Sequence, residues 1–122
     1  MYSPQIINIS NRELTDQEFP PLEPLERRAL QNDQIYLIYD AMAIYLYVGR
    51  MSDPFFIYEI FKVNDVSMVE KQISEEEIFE NAQDSTYLSA LYNIVTQIRY
   101  QRQPYLEIRI LLQGEAESEA LL

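Results

Sequence analysis

Two groups of carboxylates are the first candidates for chemistry in this chain. Glu75, Glu76, Glu77 and Glu80 are close enough in sequence for a pair of them to act as general acid and base. No feature of the sequence indicates that they enter an apolar cleft, which is what raises a carboxyl pKa. They also follow Ser74 in the spacing of a capping box. We therefore interpret them as the solvated first turn of a helix.

A second set of carboxylates raises the question of calcium. Asp33, Asp40 and Asp53 are spread over a stretch that also offers backbone carbonyl oxygens. Calcium takes about six to eight oxygen ligands, usually with several converging carboxylates, and the D-x-D-x-D-G pattern is absent from the sequence. We favour turn and helix-cap roles for these three residues and predict no metal site.

Cationic side chains offer a third possibility, a small phosphate site. Arg99 and Arg102 share a predicted helix face, and Arg109 follows in the next strand. They lie among many acidic residues, so ion pairing and interaction with the helix dipole are the favoured interpretation. The sequence has two glycines and no Gly-rich loop, which argues against a nucleotide site.

Composition narrows the remaining function classes. The chain has no His and no Cys, so it lacks the usual general base near neutral pH, thiolate nucleophiles and the commonest zinc ligands. Its 20 acidic against 9 basic residues give a formal net charge of −11, which repels nucleic acid and anionic lipid headgroups. We predict a protein that is not an enzyme, with no catalytic residues and no cofactor.

Targeting features point to the cytosol. The start, Met1 to Pro4, has neither the basic nor the apolar region of a signal peptide. The absence of Cys agrees with a reducing compartment. The longest apolar stretch, 35–48, is broken by Asp40 and is too short to cross a bilayer.

The strongest pattern in the chain predicts a β-hairpin. Two apolar runs, Ile35–Tyr39 and Ala43–Val48, flank a short turn that begins at Asp40. Neither face of the second run is polar, so we expect both sides of the sheet to be covered. The tyrosines of this hairpin fit either a docking surface or ordinary sheet core, and the sequence leaves both open.

Further elements follow from caps and periodicity. An apolar stripe with helical spacing predicts one long helix ended by Pro104, and an Asp-Pro pair predicts a shorter one. The predicted elements are a first strand at 6–9, a short helix at 25–30, a helix from Pro54 to about Lys62, the long helix from near Asp84 to near Arg102, and a last strand at 106–111.

The hairpin also resembles a known family. The run from Asp33 to Asp40, followed by Ile44 to Arg50, resembles the paired strands of the gelsolin-like repeat. That repeat occurs in actin-severing proteins of the gelsolin and villin group and at the C-terminal end of the two COPII inner-coat subunits. Gln34 and Tyr47 depart from that pattern, which has Gly and Trp there.

Flanking residues favour the coat. Tyr2, Pro4 and Ile6 resemble its opening strand, and Asp53 to Val63 resembles its short helix. The run Ile98-Arg99-Tyr100-Gln101-Arg102, then Tyr105-Leu106, resembles the larger, cargo-selecting subunit. The residues that carry the resemblance, here called the signature residues, are Tyr36, Leu37, Asp40, Tyr47, Val48, Gly49, Arg50, Arg99, Arg102 and Tyr105.

The resemblance implies an α+β fold, with a mixed sheet of about five strands between one long and one short helix. It implies a gelsolin-like domain over 1–114, with 115–122 as an acidic flexible tail. The implied role is structural, in a coat subunit for transport from the endoplasmic reticulum to the Golgi, peripheral on exit sites and vesicles. The implied partners are other domains of the parent subunit and the smaller inner-coat subunit, without direct membrane insertion. A calcium-regulated actin-binding module is the alternative.

Overall fold

A computed structural model describes residues 5–14, 30–101 and 105–115. Within these ranges the chain forms four strands, three α-helices and two short 3-10 turns at Val66–Met68 and Ala82–Asp84. The strands are β1 (Gln5–Asn8), β2 (Ile35–Tyr39), β3 (Ile44–Val48) and β4 (Ile108–Leu112), and the helices are α1 (Pro54–Phe61), α2 (Glu75–Ile78) and α3 (Thr86–Gln101).

The four strands form one mixed sheet in the order β1-β2-β3-β4. The first three are antiparallel neighbours, and Tyr36 faces Tyr47 across the predicted hairpin. β4 runs parallel to β3. Parallel neighbours need a long crossover connection, and the segment that carries α1, α2 and α3 supplies it.

Both faces of the sheet are buried, as the apolar hairpin predicted. Alternate residues divide between two clusters because successive side chains of a strand point to opposite faces. Ile35, Leu37 and Leu46 join the larger cluster with α1 and α3. Tyr36 and Ile38 lie in the smaller cluster, against which Leu30 packs.

One detail of the expected arrangement needs correction, although the α+β class with a mixed sheet is confirmed. Both α1 and α3 pack on the same face, where Phe56 and Tyr87 have ring centroids 5.2 Å apart, so these helices do not enclose the sheet between them. Both helices belong to the connection between the parallel strands β3 and β4. Because this connection crosses the sheet once, its helices lie on one side of the sheet. Four strands are described, where about five were expected.

Local capping explains the helix bounds. Asp53 Oδ1 accepts a hydrogen bond from the Phe55 N–H at 2.9 Å, and Pro54 fills the first position of α1. α1 ends at Lys62, whose left-handed backbone (φ 63°) lets its N–H reach the Tyr58 carbonyl oxygen at 3.0 Å. α3 begins after Ser85, whose hydroxyl oxygen accepts from the Leu88 N–H at 3.1 Å. These bounds confirm the two predicted helices.

Other predictions meet the structure less completely. The last strand begins two residues later than predicted, because Ile108 pairs with Ile44, the first residue of its neighbour β3. The expected helix at 25–30 falls outside the described residues except for Leu30, which lies in a bend. Tyr2, Pro4 and Arg102 also lie outside them. Across the described ranges, no helix has the length and apolar character that a membrane span requires.

Candidate functional site

The signature residues on the two hairpin strands are core residues. Leu37 and Val48 are buried on the face that α1 and α3 cover. Tyr36 and Tyr47 are buried on the opposite face, with ring centroids 6.3 Å apart and planes tilted by 58°. The Gln31 N–H donates to the Tyr36 hydroxyl oxygen at 3.0 Å, which satisfies a polar atom inside that cluster. Of the two interpretations left open, core therefore describes this tyrosine pair.

Asp40 closes the hairpin turn. Its Oδ1 accepts from the Met42 N–H at 2.7 Å and from the Ala43 N–H at 3.0 Å, and its own N–H donates to the Ala43 carbonyl oxygen at 3.2 Å. A short aspartate side chain that bonds the backbone two and three residues ahead stabilises a turn without glycine. Asp40 is thus committed to the turn role that was favoured over calcium binding.

Gly49 is required by a close approach of two backbones. Its N–H donates to the Gln34 carbonyl oxygen at 3.0 Å. A Cβ atom at position 49 would lie 2.8 Å from that same oxygen and nearer still to the Asn32 carbonyl oxygen. Any other residue would force these segments apart, so glycine here permits contact between backbones.

Arg50 fastens the chain that leaves β4. Its backbone N–H donates to Gln113 Oε1 at 2.9 Å, and its Nε donates to the Gln113 carbonyl oxygen at 3.2 Å. Gly114 has φ 91°, and a Cβ there would meet the Arg50 guanidinium carbon at 2.8 Å. Arg50 and Gly114 therefore fit each other at the end of the sheet.

Arg99 joins three separate segments. Its Nε and Nη2 both donate to the Leu106 carbonyl oxygen, at 3.0 and 2.8 Å. Its Nη1 donates to Glu75 Oε2 at 2.7 Å, and Nη2 pairs with the other oxygen of the same carboxylate. Hydrogen bonds from the guanidinium to Glu75 raise the Arg99 pKa. The residue thus links α3, α2 and the chain before β4; its pairing with Glu75 agrees with the predicted ion-pair role, whereas the bonds to Leu106 were not predicted.

The cationic residues do not form a phosphate site within the described part of the chain. The guanidinium of Arg99 already donates to Glu75 and to the Leu106 carbonyl oxygen. Arg109 is exposed, and its Nη2 lies 3.7 Å from Glu107 Oε2. Tyr105 is 88% exposed and borders a shallow groove of about 460 Å³ between Arg99 and Ile108. Tyr105 is thus the exposed tyrosine among the described signature residues, whereas Tyr36 and Tyr47 are buried.

Several of the candidate carboxylates have structural partners. The Glu77 N–H donates to the Ser74 hydroxyl oxygen at 3.2 Å, which confirms Ser74 as the N-cap of α2, and the Glu77 carboxylate accepts from the Ser74 hydroxyl at 3.2 Å. Asp53 accepts from Phe55 N–H and pairs with Arg12 at 2.9 Å, and these contacts, the backbone bond first, lower its pKa. Among the described residues, no three carboxylates converge in a way that could hold a metal ion.

Two features were missed in the sequence. Tyr87 is buried on α3, and its hydroxyl donates a hydrogen bond to the Ile9 carbonyl oxygen at 2.8 Å. Burial raises the pKa of Tyr87. Arg12, besides pairing with Asp53, lies 4.4 Å over the Phe55 ring, beside an open polar groove of about 480 Å³. The tyrosine continues the apolar stripe of α3, whereas nothing in the sequence connects Arg12 with α1.

The structure thus defines the class of this chain as a structural domain. Most of its described signature residues pack in the core or hold neighbouring segments together. Comparison with known proteins identifies its relatives. The chain is 28% identical over 116 residues to the protein transport protein SEC24 C of Arabidopsis thaliana, covering 92% of this chain and 10% of that protein. Its fold matches the crystal structure of the human COPII-coat protein Sec24c with a TM-score of 0.81 and 18% identity, covering 96% of this chain and 15% of that one.

These matches confirm the resemblance to the larger coat subunit and the fold that it implied. No protein-family model matches the chain. The chain spans about a tenth of the curated relative, so the similarity concerns one portion of a much longer protein.

Proposed function

We propose that this chain is a non-catalytic, structural protein-interaction domain of a COPII coat cargo-adaptor subunit. In this role it contributes to transport from the endoplasmic reticulum to the Golgi by packing against its neighbours, not by binding cargo. The observation that carries the proposal is the agreement of sequence and fold with the SEC24 C and Sec24c proteins over more than nine tenths of the chain.

The arrangement of titrating groups supports a structural role. Burial lowers the pKa of Lys62 at the end of α1 and raises that of Tyr87 in the core. Hydrogen bonds from Ser67 lower the pKa of Asp65, which caps a 3-10 turn. Catalytic sites instead collect shifted groups in one cleft. In the described residues these groups serve caps, turns and core contacts in different places.

The proposed partners are the other domains of the parent subunit and the smaller inner-coat subunit. The proposed location is the cytoplasmic side of endoplasmic reticulum exit sites and of COPII vesicles. A net charge of −11 supports neither a nucleic acid partner nor a direct anionic lipid surface, so neighbouring parts of the coat would contact the membrane.

The calcium-regulated actin-binding alternative has no comparable support. Asp40 holds a turn and Asp53 caps a helix, and in the described part of the chain no three acidic side chains converge as a calcium site requires. The two relatives described above are a transport protein and a coat protein.

A chimera tests the proposal. The matching 116-residue region of Arabidopsis SEC24 C would be replaced by this chain, and recovery of the smaller inner-coat subunit would be measured by affinity purification. We expect recovery close to that of unmodified SEC24 C. The matched control is the same chimera with Ile38→Asp, which places a charge at a fully buried position and unfolds the domain.

Two outcomes would count against the proposal. One is a chimera whose inserted domain is folded, by near-ultraviolet circular dichroism, but which recovers no smaller subunit. The other is sedimentation of this chain with actin filaments that requires micromolar calcium, which would favour the actin-binding alternative.

A further inference from the structure

The outer face of α3 has no charged side chain, although acidic and basic residues number 20 and 9 in the whole chain. Arg99 is the only charged residue between positions 86 and 101, and its guanidinium turns towards Glu75 and Leu106. A helix that faces water normally has charges on its outer side. The exposed positions, here called the uncharged α3 face, are Thr86, Tyr92, Thr96, Gln97, Tyr100 and Gln101.

The acidic helix α2 lies beside this face. The Tyr92 ring packs edge-on against Phe79, with centroids 5.3 Å apart, and the Arg99–Glu75 pair holds α2 beside α3. α2 has Glu75, Glu76 and Glu77 in its first turn. Tyr100, at the other end of the face, is 92% exposed. An uncharged, tyrosine-bearing centre beside a charged rim is the composition of a protein–protein interface.

Charge indicates what kind of surface can cover this face. Burying an unpaired charge is costly, and the uncharged α3 face offers no partner charge, so the surface that fits is itself uncharged. A second copy of this chain also has a net charge of −11, and the two copies repel each other at long range.

We propose that the uncharged α3 face docks against an uncharged surface of another domain of the same coat subunit. The matched region makes up 10% of SEC24 C and 15% of the Sec24c chain, so in those proteins most of the polypeptide is available to cover it. This proposal rests on the proposed function, because it takes the remainder of that subunit as the partner.

The test is binding in trans. The probe is purified Arabidopsis SEC24 C from which the matching 116-residue region has been deleted, and its competence is checked by binding of that same region as a separate chain. We expect this chain to bind the probe. Thr96→Glu and Thr96→Lys should each weaken binding about tenfold or more, because either charge is buried unpaired. The matched control, Met42→Glu, changes an 80% exposed residue in the hairpin turn and should leave the affinity unchanged.

The outcomes separate the two proposals. No binding of the unmodified chain to a competent probe contradicts the proposed function. Binding that tolerates both Thr96 substitutions contradicts docking through the uncharged α3 face. Opposite effects of Glu and Lys contradict an uncharged partner surface. We also expect the dissociation constant to change less than about threefold between low and physiological salt, since charges contribute little to this contact.

Discussion

The two strands of the central hairpin and the outer face of α3 are uncharged and bear tyrosines, yet only the strands are core. Tyr36 and Tyr47 of the hairpin are buried by the chain itself, whereas Tyr92 and Tyr100 of α3 remain exposed. The same composition therefore serves internal packing in one place and leaves a surface open in the other. Placement in the fold, not residue type, separates a core from a docking surface.

The largest expected effect is at the hairpin. Ile38 is fully buried between the β1 and β3 partners of its strand. Ile38→Ala should lower the free energy of unfolding by about 2–5 kcal/mol, because it removes packed methyl groups and leaves a cavity. Urea denaturation followed by far-ultraviolet circular dichroism measures the loss.

Met42→Ala is the matched control for that change, because Met42 lies in the turn of the same hairpin and is exposed. We expect an effect within about 0.5 kcal/mol. Comparable losses at the two positions would show that the hairpin is not the core described here.

A smaller effect is expected at Arg99. Arg99→Lys should lower the free energy of unfolding by about 1–2 kcal/mol, because a lysine cannot bind both Glu75 oxygens and the Leu106 carbonyl oxygen together. Combining it with Glu75→Gln in a double-mutant cycle isolates the ion pair. Strictly additive losses would mean that the guanidinium and the carboxylate do not interact in solution.

The sequence predicted the fold well where one local rule decides each element. Asp53 and Pro54 began α1, and alternation assigned the two faces of β3. An apolar stripe predicted α3 from Leu88, Leu91, Tyr92, Val95 and Ile98; all of these are buried except Tyr92, which is 47% exposed, so its place on the buried stripe was wrong. The prediction that α1 and α3 cover opposite faces of the sheet was wrong, because the face that α1 covers depends on the path of the connection from β3 to β4.

The roles of the candidate-site residues were predicted where nearby residues decide them, and missed where the contact joins distant parts of the chain. The turn role of Asp40 follows from a short-range rule and was foreseen. An ion-pair role was also predicted for Arg99, but its partner, Glu75, lies 24 positions earlier in the chain and was not identified. The contacts of Tyr87 with Ile9 and of Arg12 with Asp53 join residues 78 and 41 positions apart, and no local pattern reports them. The choice between core and docking surface for tyrosines likewise required the coordinates.

Acid should weaken the start of α1. The pKa of Asp53 is lowered in the folded chain, so its ionised form stabilises the fold above its ordinary pKa, near pH 4, and this contribution is lost as pH falls through the lowered value. Asp53→Asn should therefore flatten the loss of stability below about pH 4. Thermal unfolding of both proteins across about five pH units, from pH 2 to pH 7, measures this difference. An unchanged dependence of stability on pH would contradict the capping role of Asp53.

The smallest expected effect is at the uncharged α3 face of the isolated chain. Thr96→Glu should change the free energy of unfolding by less than about 0.5 kcal/mol, since the residue is exposed and Glu favours helix. Chemical denaturation measures it beside the binding assay. A large loss of unfolding free energy would mean that Thr96 contributes to the core. Weakened binding would then reflect unfolding of the chain and not a change at the interface.

Tyrosine nitration mapped by mass spectrometry tests the comparison most directly, with the chain alone and bound to SEC24 C lacking its matching region. We expect protection of Tyr36, Tyr47 and Tyr87 in both states, and protection of Tyr92 and Tyr100 only in the complex. Rapid nitration of Tyr36 and Tyr47 in the folded chain, or unchanged nitration of Tyr92 and Tyr100 in the complex, would contradict it.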